Sequence, residues 1–359
     1  MSVLAVSVDI GRSSVKASAC FGKDEVSLEV PSVVATSLGP LAQSDTVNSI
    51  SDHDIAKVVV NSTQGDWMEG LPNLFLFGRH AIKQGASPSA FSEGVVFHRF
   101  SVAAILWATA WFQHHFKVEG AVPVHLAINL TYLNNEASTL YSSSLKGAHA
   151  VALGVPAAGR VTEVTVAVNI AKLFCFQQGY AGLFCFLKDS KFKTLQKQKG
   201  LCVDIGRRTV DFSIVEELTL NRGSSAVLGT SILIDGVRQA VSKTHGLTLT
   251  EQEVERSFTD PAYTVRGLAA KGGVKPWDVA NAVSEGSDVS MYGDLYAKIK
   301  VAIMNFAGTD NLEYIFLCGG GALLYQGLFA KDFKVPILLS EFPLRSNTQG
   351  MLQFISMGL

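Results

Sequence analysis

Asp9 and Asp204 stand in matching settings far apart in the chain. Val8-Asp-Ile-Gly-Arg12 near the start recurs past the middle as Val203-Asp-Ile-Gly-Arg207. Seven residues after the first Asp stands Lys16, and seven after the second stands Asp211. Gly11 and Gly206 lack the Cβ that keeps a backbone N–H away from an anion, so both can approach phosphate oxygens closely. Lys16 would neutralise phosphate charge. Asp9, Asp204 and Asp211 would hold a hydrated magnesium ion, which takes a few carboxylates and keeps much of its water. Two facing copies with complementary charges read as a phosphate and magnesium site in a cleft.

The elements that must position these residues follow from the flanking patterns. Short β-type runs precede each Asp-Ile-Gly (Val3 to Val8, and Gly200 to Val203). Alternating runs follow (Val15 to Phe21, and Val210 to Val215). Strand, tight turn, strand predicts a hairpin in each case, and the repeat predicts two domains of like architecture. Near the C-terminus, the apolar run Tyr314 to Cys318 leads through Gly319, Gly320, Gly321 and Ala322 into a helical run, Leu323 to Ala330. Strand, glycines, helix is an arrangement able to cradle a nucleotide. Leu140 to Pro156 and Glu163 to Phe174 read as strands, and Thr230 to Gly308 as mostly helical, with helix starts at Glu251 and Pro276. Val102 to Phe116 reads as a helix with Trp107 and Trp111 on its core face. The adjacent His114 and His115 point to different sides of such a helix and make a poor metal pair.

Composition narrows the classes. Across 359 residues the chain is 48% hydrophobic and 17% charged, enough to bury a sizeable core in two domains. A formal net charge of -1 creates no overall field toward nucleic acid or an acidic membrane, and the lysine-rich run Lys188 to Lys199 reads as a solvated turn. Met1 leads straight into an apolar alternating run, which reads as a first strand rather than a signal peptide and predicts a cytoplasmic protein. The longest apolar stretches fall short of a membrane span. Five scattered cysteines without a C-x-x-C pair are expected to be buried, reduced thiols.

Asp-Ile-Gly with a downstream Lys, a second Asp-Ile-Gly-x-x-Thr-x-Asp and a late Gly-Gly-Gly-Ala, in that order, resemble the two phosphate segments and the adenosine segment of the actin, sugar-kinase and heat-shock-chaperone ATPase superfamily. Within it the sequence is most similar to ParM-type plasmid-segregation actins and related prokaryotic actin-like proteins. Phe77-Gly-Arg-His-Ala81, Ala127 to Asn135 and Ser346-Asn-Thr-Gln-Gly-Met351 resemble further family segments. The resemblance implies an α/β chain of two related ribonuclease-H-like domains around a nucleotide cleft. Domain I would be 1–165 plus 341–359, and domain II 166–340, with a mostly helical subdomain at about 230–308.

Carried over by position, Asp9 and Asp211 would act on the magnesium hydration shell, with Gly11, Ser13, Lys16, Gly206 and Thr209 around the phosphates. Asp204 would help orient the attacking water. Gly236, Gly319, Gly320, Gly321 and Ala322 would face the adenosine. Phe176-Gln-Gln-Gly-Tyr-Ala181 stands where the family supplies a water-positioning residue, and Gln178 is preferred over Gln177; an amide orients water without taking its proton, which implies slow hydrolysis. Arg207 and Arg208 depart from the small residues common in the second loop, and three roles stay open for them: phosphate contact, an assembly partner, or crowding of the γ-phosphate. The implied function is an ATP-dependent filament protein with ATP/ADP and Mg2+ as cofactors, hydrolysis timing disassembly. Its partners would be itself, as a homopolymer, and a DNA-binding adaptor protein; no direct nucleic-acid site and no membrane segment are expected. The alternatives are a sugar or carboxylate kinase of the same fold and a non-hydrolysing structural relative.

Overall fold

The computed structural model describes residues 3–11, 14–32, 34–36, 57–62, 75–77, 95–130, 135–157, 160–187, 192–265, 273–283, 287–308 and 311–358. The chain divides into two compact units, Met1–Asp189 with Arg345–Leu359, and Ser190–Leu344.

Unit 1 is built on a mixed sheet of nine strands among the described residues, in the order β3-β2-β1-β7-β9-β8-β5-β6-β4. In chain order these are β1 (Leu4–Ile10), β2 (Ser14–Phe21), β3 (Asp24–Pro31), β4 (Val34–Thr36), β5 (Lys57–Ser62) and β6 (Phe75–Phe77), then helix α1 (Val95–His115), β7 (Val124–Leu130), helix α2 (Asn135–Leu145), β8 (Gly147–Ala157), β9 (Arg160–Gln177) and helix α3 (Tyr180–Leu183). β1 is buried along its whole length, since it pairs with β2 antiparallel on one side and with β7 parallel on the other. β9 continues the parallel set beyond β7. Val102–Phe112 of α1 is buried residue for residue, with Trp107 and Trp111 in the core as expected, while His114 and His115 are exposed.

Unit 2 carries a five-stranded sheet, β12-β11-β10-β13-β14, again counted over the described residues. After the short α4 (Phe192–Leu195) come β10 (Lys199–Ile205), β11 (Val210–Glu216) and β12 (Thr219–Ala226), helices α5 (Ser231–His245), α6 (Glu251–Thr259), α7 (Pro276–Asn281) and α8 (Met291–Ala307), then β13 (Tyr314–Cys318), α9 (Ala322–Asp332) and β14 (Ile337–Leu339). Among the described residues, α5 to α8 all fall within the stretch Thr230 to Gly308 that the sequence reads as mostly helical. β10, β13 and β14 are parallel, β10 and β11 antiparallel, so a second hairpin again abuts a parallel set. The unit has its own core, in which Leu201, Val203 and Phe212 of the sheet meet Leu233, Val237, Ile299, Tyr325 and Phe329 of the helices. Helix α10 (Ser346–Ser356) then returns to unit 1.

Two sequence expectations are corrected. Residues 140–145 are the second half of helix α2, and the strand begins only at Gly147. Tyr141 and Leu145, four apart on the helix, are both buried, while the Ser143 and Ser144 hydroxyls donate to the Leu140 carbonyl. The division between units falls at 189/190 and 344/345, against 165/166 and 340/341 read from the sequence, because β9 runs unbroken to Gln177 and pairs with β7 to that point. None of the five cysteines is in a disulfide, but only Cys202 and Cys318 are buried; Cys20, Cys175 and Cys185 are half-buried. Among the described residues no helix is long and apolar enough to cross a membrane.

Candidate functional site

The two hairpins turn in the same way. Gly11 N–H donates to the Ser14 carbonyl at 3.0 Å, and Gly206 N–H to the Thr209 carbonyl at 2.9 Å. Ile10 pairs with Val15 and Ile205 with Val210, so Gly11 and Ser14 hold the places in the first hairpin that Gly206 and Thr209 hold in the second. The register places Lys16 directly opposite Asp9, and Asp211 directly opposite Asp204. The charge inversion seen in the sequence is therefore an inversion at one and the same ladder position. Ser14, which sequence reading passed over, is the counterpart of Thr209; Ser13 lies outside the described residues. The amide N–H groups of both leading glycines are committed to their turns, which leaves any anion contact to later loop positions.

The second loop is fastened from behind. The carbonyls of Gly206, Arg207 and Arg208 accept from the N–H groups of Thr230 (3.1 Å), Ser231 (2.7 Å) and Gly229 (3.0 Å), at the start of α5. Gly229 is needed for this approach: a Cβ there would overlap the Arg207 and Arg208 backbone. Thr209 Oγ1 donates to Asp211 Oδ2 at 3.0 Å, and Asp204 and Asp211 are both buried. The Arg207 guanidinium is drawn sideways to Glu251 and Glu255 of α6, and Arg208 is exposed.

The glycine turn after β13 packs on the same strand end. Asp204 is in register with Cys318, so Gly319 follows beside the Asp204 carboxylate, with φ at 82°, and a Cβ on it would overlap Asp204 Oδ1. Gly321 N–H donates to the Ile205 carbonyl at 2.8 Å, and a Cβ on Gly321 would overlap the Ile205 side chain. Gly320 faces Leu344, and Ala322 opens α9. Asp204, Gly206, Thr209, Asp211 and Gly319 to Ala322 are thus brought to one place at the C-terminal ends of β10 and β13, where open α/β sheets bind ligands. Gly236 stands in the second turn of α5, where a Cβ would sit 3.0 Å from Met291 Sδ.

Unit 1 assembles its own set at the ends of β1, β7 and β9. Asp9 is buried, and Asn129, its register partner on β7, donates from Nδ2 to Asp9 Oδ1 at 3.4 Å. Sequence reading placed Asn129 within the family-like segment Ala127 to Asn135 and gave it no role of its own. Gln177 ends β9 fully buried, and Gln178 N–H donates to the Leu130 carbonyl at 3.0 Å. The Gly11 carbonyl accepts from the buried Ser32 hydroxyl. Behind Gln178, Gly179 N–H donates to Asn347 Oδ1 of α10 at 3.3 Å, and Gly350 lets α10 meet the Ala181 carbonyl.

Within unit 2, the buried Asp204 and Asp211 carboxylates and the Thr209 hydroxyl have the donor chemistry that a hydrated hard cation takes through its waters. Asn129 Oδ1 is a buried acceptor with no partner among the described residues, suited to a water O–H.

No protein-family model matches the chain, and no curated protein matches it by sequence. Solved structures do match. An archaeal actin homologue, Ta0583, is similar at a TM-score of 0.69 and 15% identity, over 99% of this chain and 100% of that one. Bacillus thuringiensis ParM with ATP is similar at 0.69 and 14%, over 99% and 100%. The apo pSK41 ParM protein is similar at 0.63 and 14%, over 99% and 97%. The chain has the actin-like fold. At such identities the likeness extends to the path of the backbone alone.

Proposed function

We propose that this chain binds ATP and ADP with magnesium and assembles into a homopolymer whose disassembly is timed by slow hydrolysis. The observation that carries the reading is the convergence in unit 2 of Asp204, Thr209, Asp211 and the turn Gly319 to Ala322 on adjoining strand ends. Magnesium, when bound, would neutralise charge on the phosphates. Asp211, held by Thr209, and Asp9, held by Asn129, would accept from the waters around it. Lys16 would offset phosphate charge, and Gly319, Gly320, Gly321 and Ala322 would face the adenosine. Gly11 and Gly206 would set the turns, leaving the amides of Arg207 and Arg208 to meet phosphate. Asp204 and Gln178 would orient the attacking water, and an amide at 178 fits slow turnover.

Filament formation rests on the similarity to ParM and to the archaeal actin homologue, and plasmid or DNA segregation through a DNA-binding adaptor is the role proposed for the polymer, in the cytoplasm. Sedimentation and light scattering with magnesium plus ATP, ADP or a non-hydrolysable analogue test it, with phosphate release followed in the same samples. Nucleotide-dependent pelleting with phosphate release lagging assembly supports the reading. Tight ATP binding with no polymer over a wide range of protein and salt concentrations rejects it.

A further inference from the structure

The Arg207 side chain, unlike its backbone amide, has no part in the nucleotide site set out above, yet it holds two carboxylates at once. Nη1 donates to Glu255 Oε1 at 2.6 Å, and Nη2 pairs with Glu251. These two carboxylates stand four residues apart on α6, so one face of that helix presents both. The same helix is fixed from other directions. A capping box between Thr250 and Glu253 sets its first turn. Arg238 of α5 donates from Nε to the Leu249 carbonyl at 2.9 Å and brings Nη1 within 3.7 Å of Glu251 Oε1 and 3.3 Å of Asp235. At the opposite end of the linkage, the loop that carries Arg207 has three successive carbonyls tied to residues 229–231. Burial pushes the Glu255 carboxyl above the usual carboxylate range, and the Arg207 charge opposes that push. Without the arginine, two carboxylates would face each other across one helical turn, with Arg238 beside Glu251.

Loop and helix are therefore joined by a side chain with two fixed ends. We propose that Arg207 is a positioning residue that couples the 206–209 loop to helix α6, so that an anion ordering the loop also orders the helix, and a change at α6 alters the loop's hold on the anion. The proposal rests on the reading that this loop takes a nucleotide phosphate. Coupling of this kind is reciprocal between the two places. It also separates Arg207 from its neighbour, because Arg208 is exposed.

Hydrogen–deuterium exchange on the full chain tests it, using wild type, R207A, R207K, E251Q/E255Q and the triple combination. Without nucleotide, amides of residues 206–211 are expected to exchange about tenfold faster in R207A and in E251Q/E255Q alike. The triple variant should be no worse than either, since all remove one linkage. Adding magnesium and ATP should raise protection over residues 253–259 in wild type, with this response lost in R207A and partly kept in R207K, whose ammonium can reach one carboxylate at a time. Unchanged loop exchange in R207A would overturn the coupling. So would weakened ATP binding in R207A with unaltered or tighter binding in E251Q/E255Q, since Arg207 would then be a phosphate ligand restrained by α6. Failure of wild type to bind ATP would count against the nucleotide reading, while the exchange comparison without nucleotide would still decide whether loop and helix are coupled.

Discussion

Gly319 lies against Asp204 so closely that the smallest side chain at 319 would strike the carboxylate. With φ at 82° the position is also one that L side chains rarely adopt. Gly319→Ala should therefore destabilise unit 2 by about 1–3 kcal/mol and displace Asp204. Gly327, within α9 and with open space around it, is the control: Gly327→Ala should be neutral or stabilising by up to about 1 kcal/mol. Thermal unfolding of both variants, with ATP binding by calorimetry, separates the local clash from a general intolerance of the alanine.

Asp211→Asn keeps an oxygen for the Thr209 hydroxyl and removes the charge. The fold should survive, while affinity for magnesium ATP falls about 10–100-fold. Affinity measured in a chelator should change far less, and equal losses with and without magnesium would argue against a metal role for this residue.

Gln178 is fixed through its backbone by Leu130, so truncating its side chain leaves β9 in place. Gln178→Ala should slow phosphate release about 10²-fold while nucleotide affinity stays near wild type. An unchanged rate would transfer the water-orienting role elsewhere.

His149 gives unit 1 a defined response to pH. It is buried, its Nε2–H donates to the Leu145 carbonyl at 2.7 Å, and Nδ1 has no partner among the described residues. Burial holds its pKa below the ordinary 6.5. In the unfolded chain the imidazole takes a proton near 6.5; in the fold it resists. The stability this contributes is complete above that value and is lost as the pH falls below it. Urea midpoints should drop between pH 7.5 and pH 5.5, and drop less in His149→Gln. Equal drops in both would place the titration on other groups.

Gly350 admits helix α10 to the Ala181 carbonyl, where a Cβ would overlap. Gly350→Ala should cost about 1–3 kcal/mol by overpacking and loosen the rings of Phe176, Phe184 and Phe354, now 5.1–5.8 Å apart. Near-ultraviolet circular dichroism and denaturant unfolding read both effects.

The hairpins, the glycine turn and the helical stretch of unit 2 were legible in the sequence because Asp, Gly and the alternating runs act locally. Helix α2 was not. Its Ser- and Thr-containing segment has weak helical preference, and what decides it is Tyr141 and Leu145 reaching the core. Asn129 and Ser14 received no role of their own because their meaning comes from register with Asp9 and with Thr209's place in the other hairpin. The engagement of Arg207 depends on carboxylates 44 and 48 residues away. Local chemistry can be read from neighbours in the chain, whereas these contacts exist only once strands and helices have met.

Unit 1 is discontinuous, completed by residues 345–359, whereas unit 2 is one uninterrupted stretch. During translation, unit 2 can mature as soon as its own stretch has left the ribosome, whereas unit 1 is completed only when α10, on the far side of unit 2, has followed. Until that helix arrives, the Phe176 and Phe184 rings lack their Phe354 partner, and the nascent chain carries a sticky apolar face for chaperones to shield.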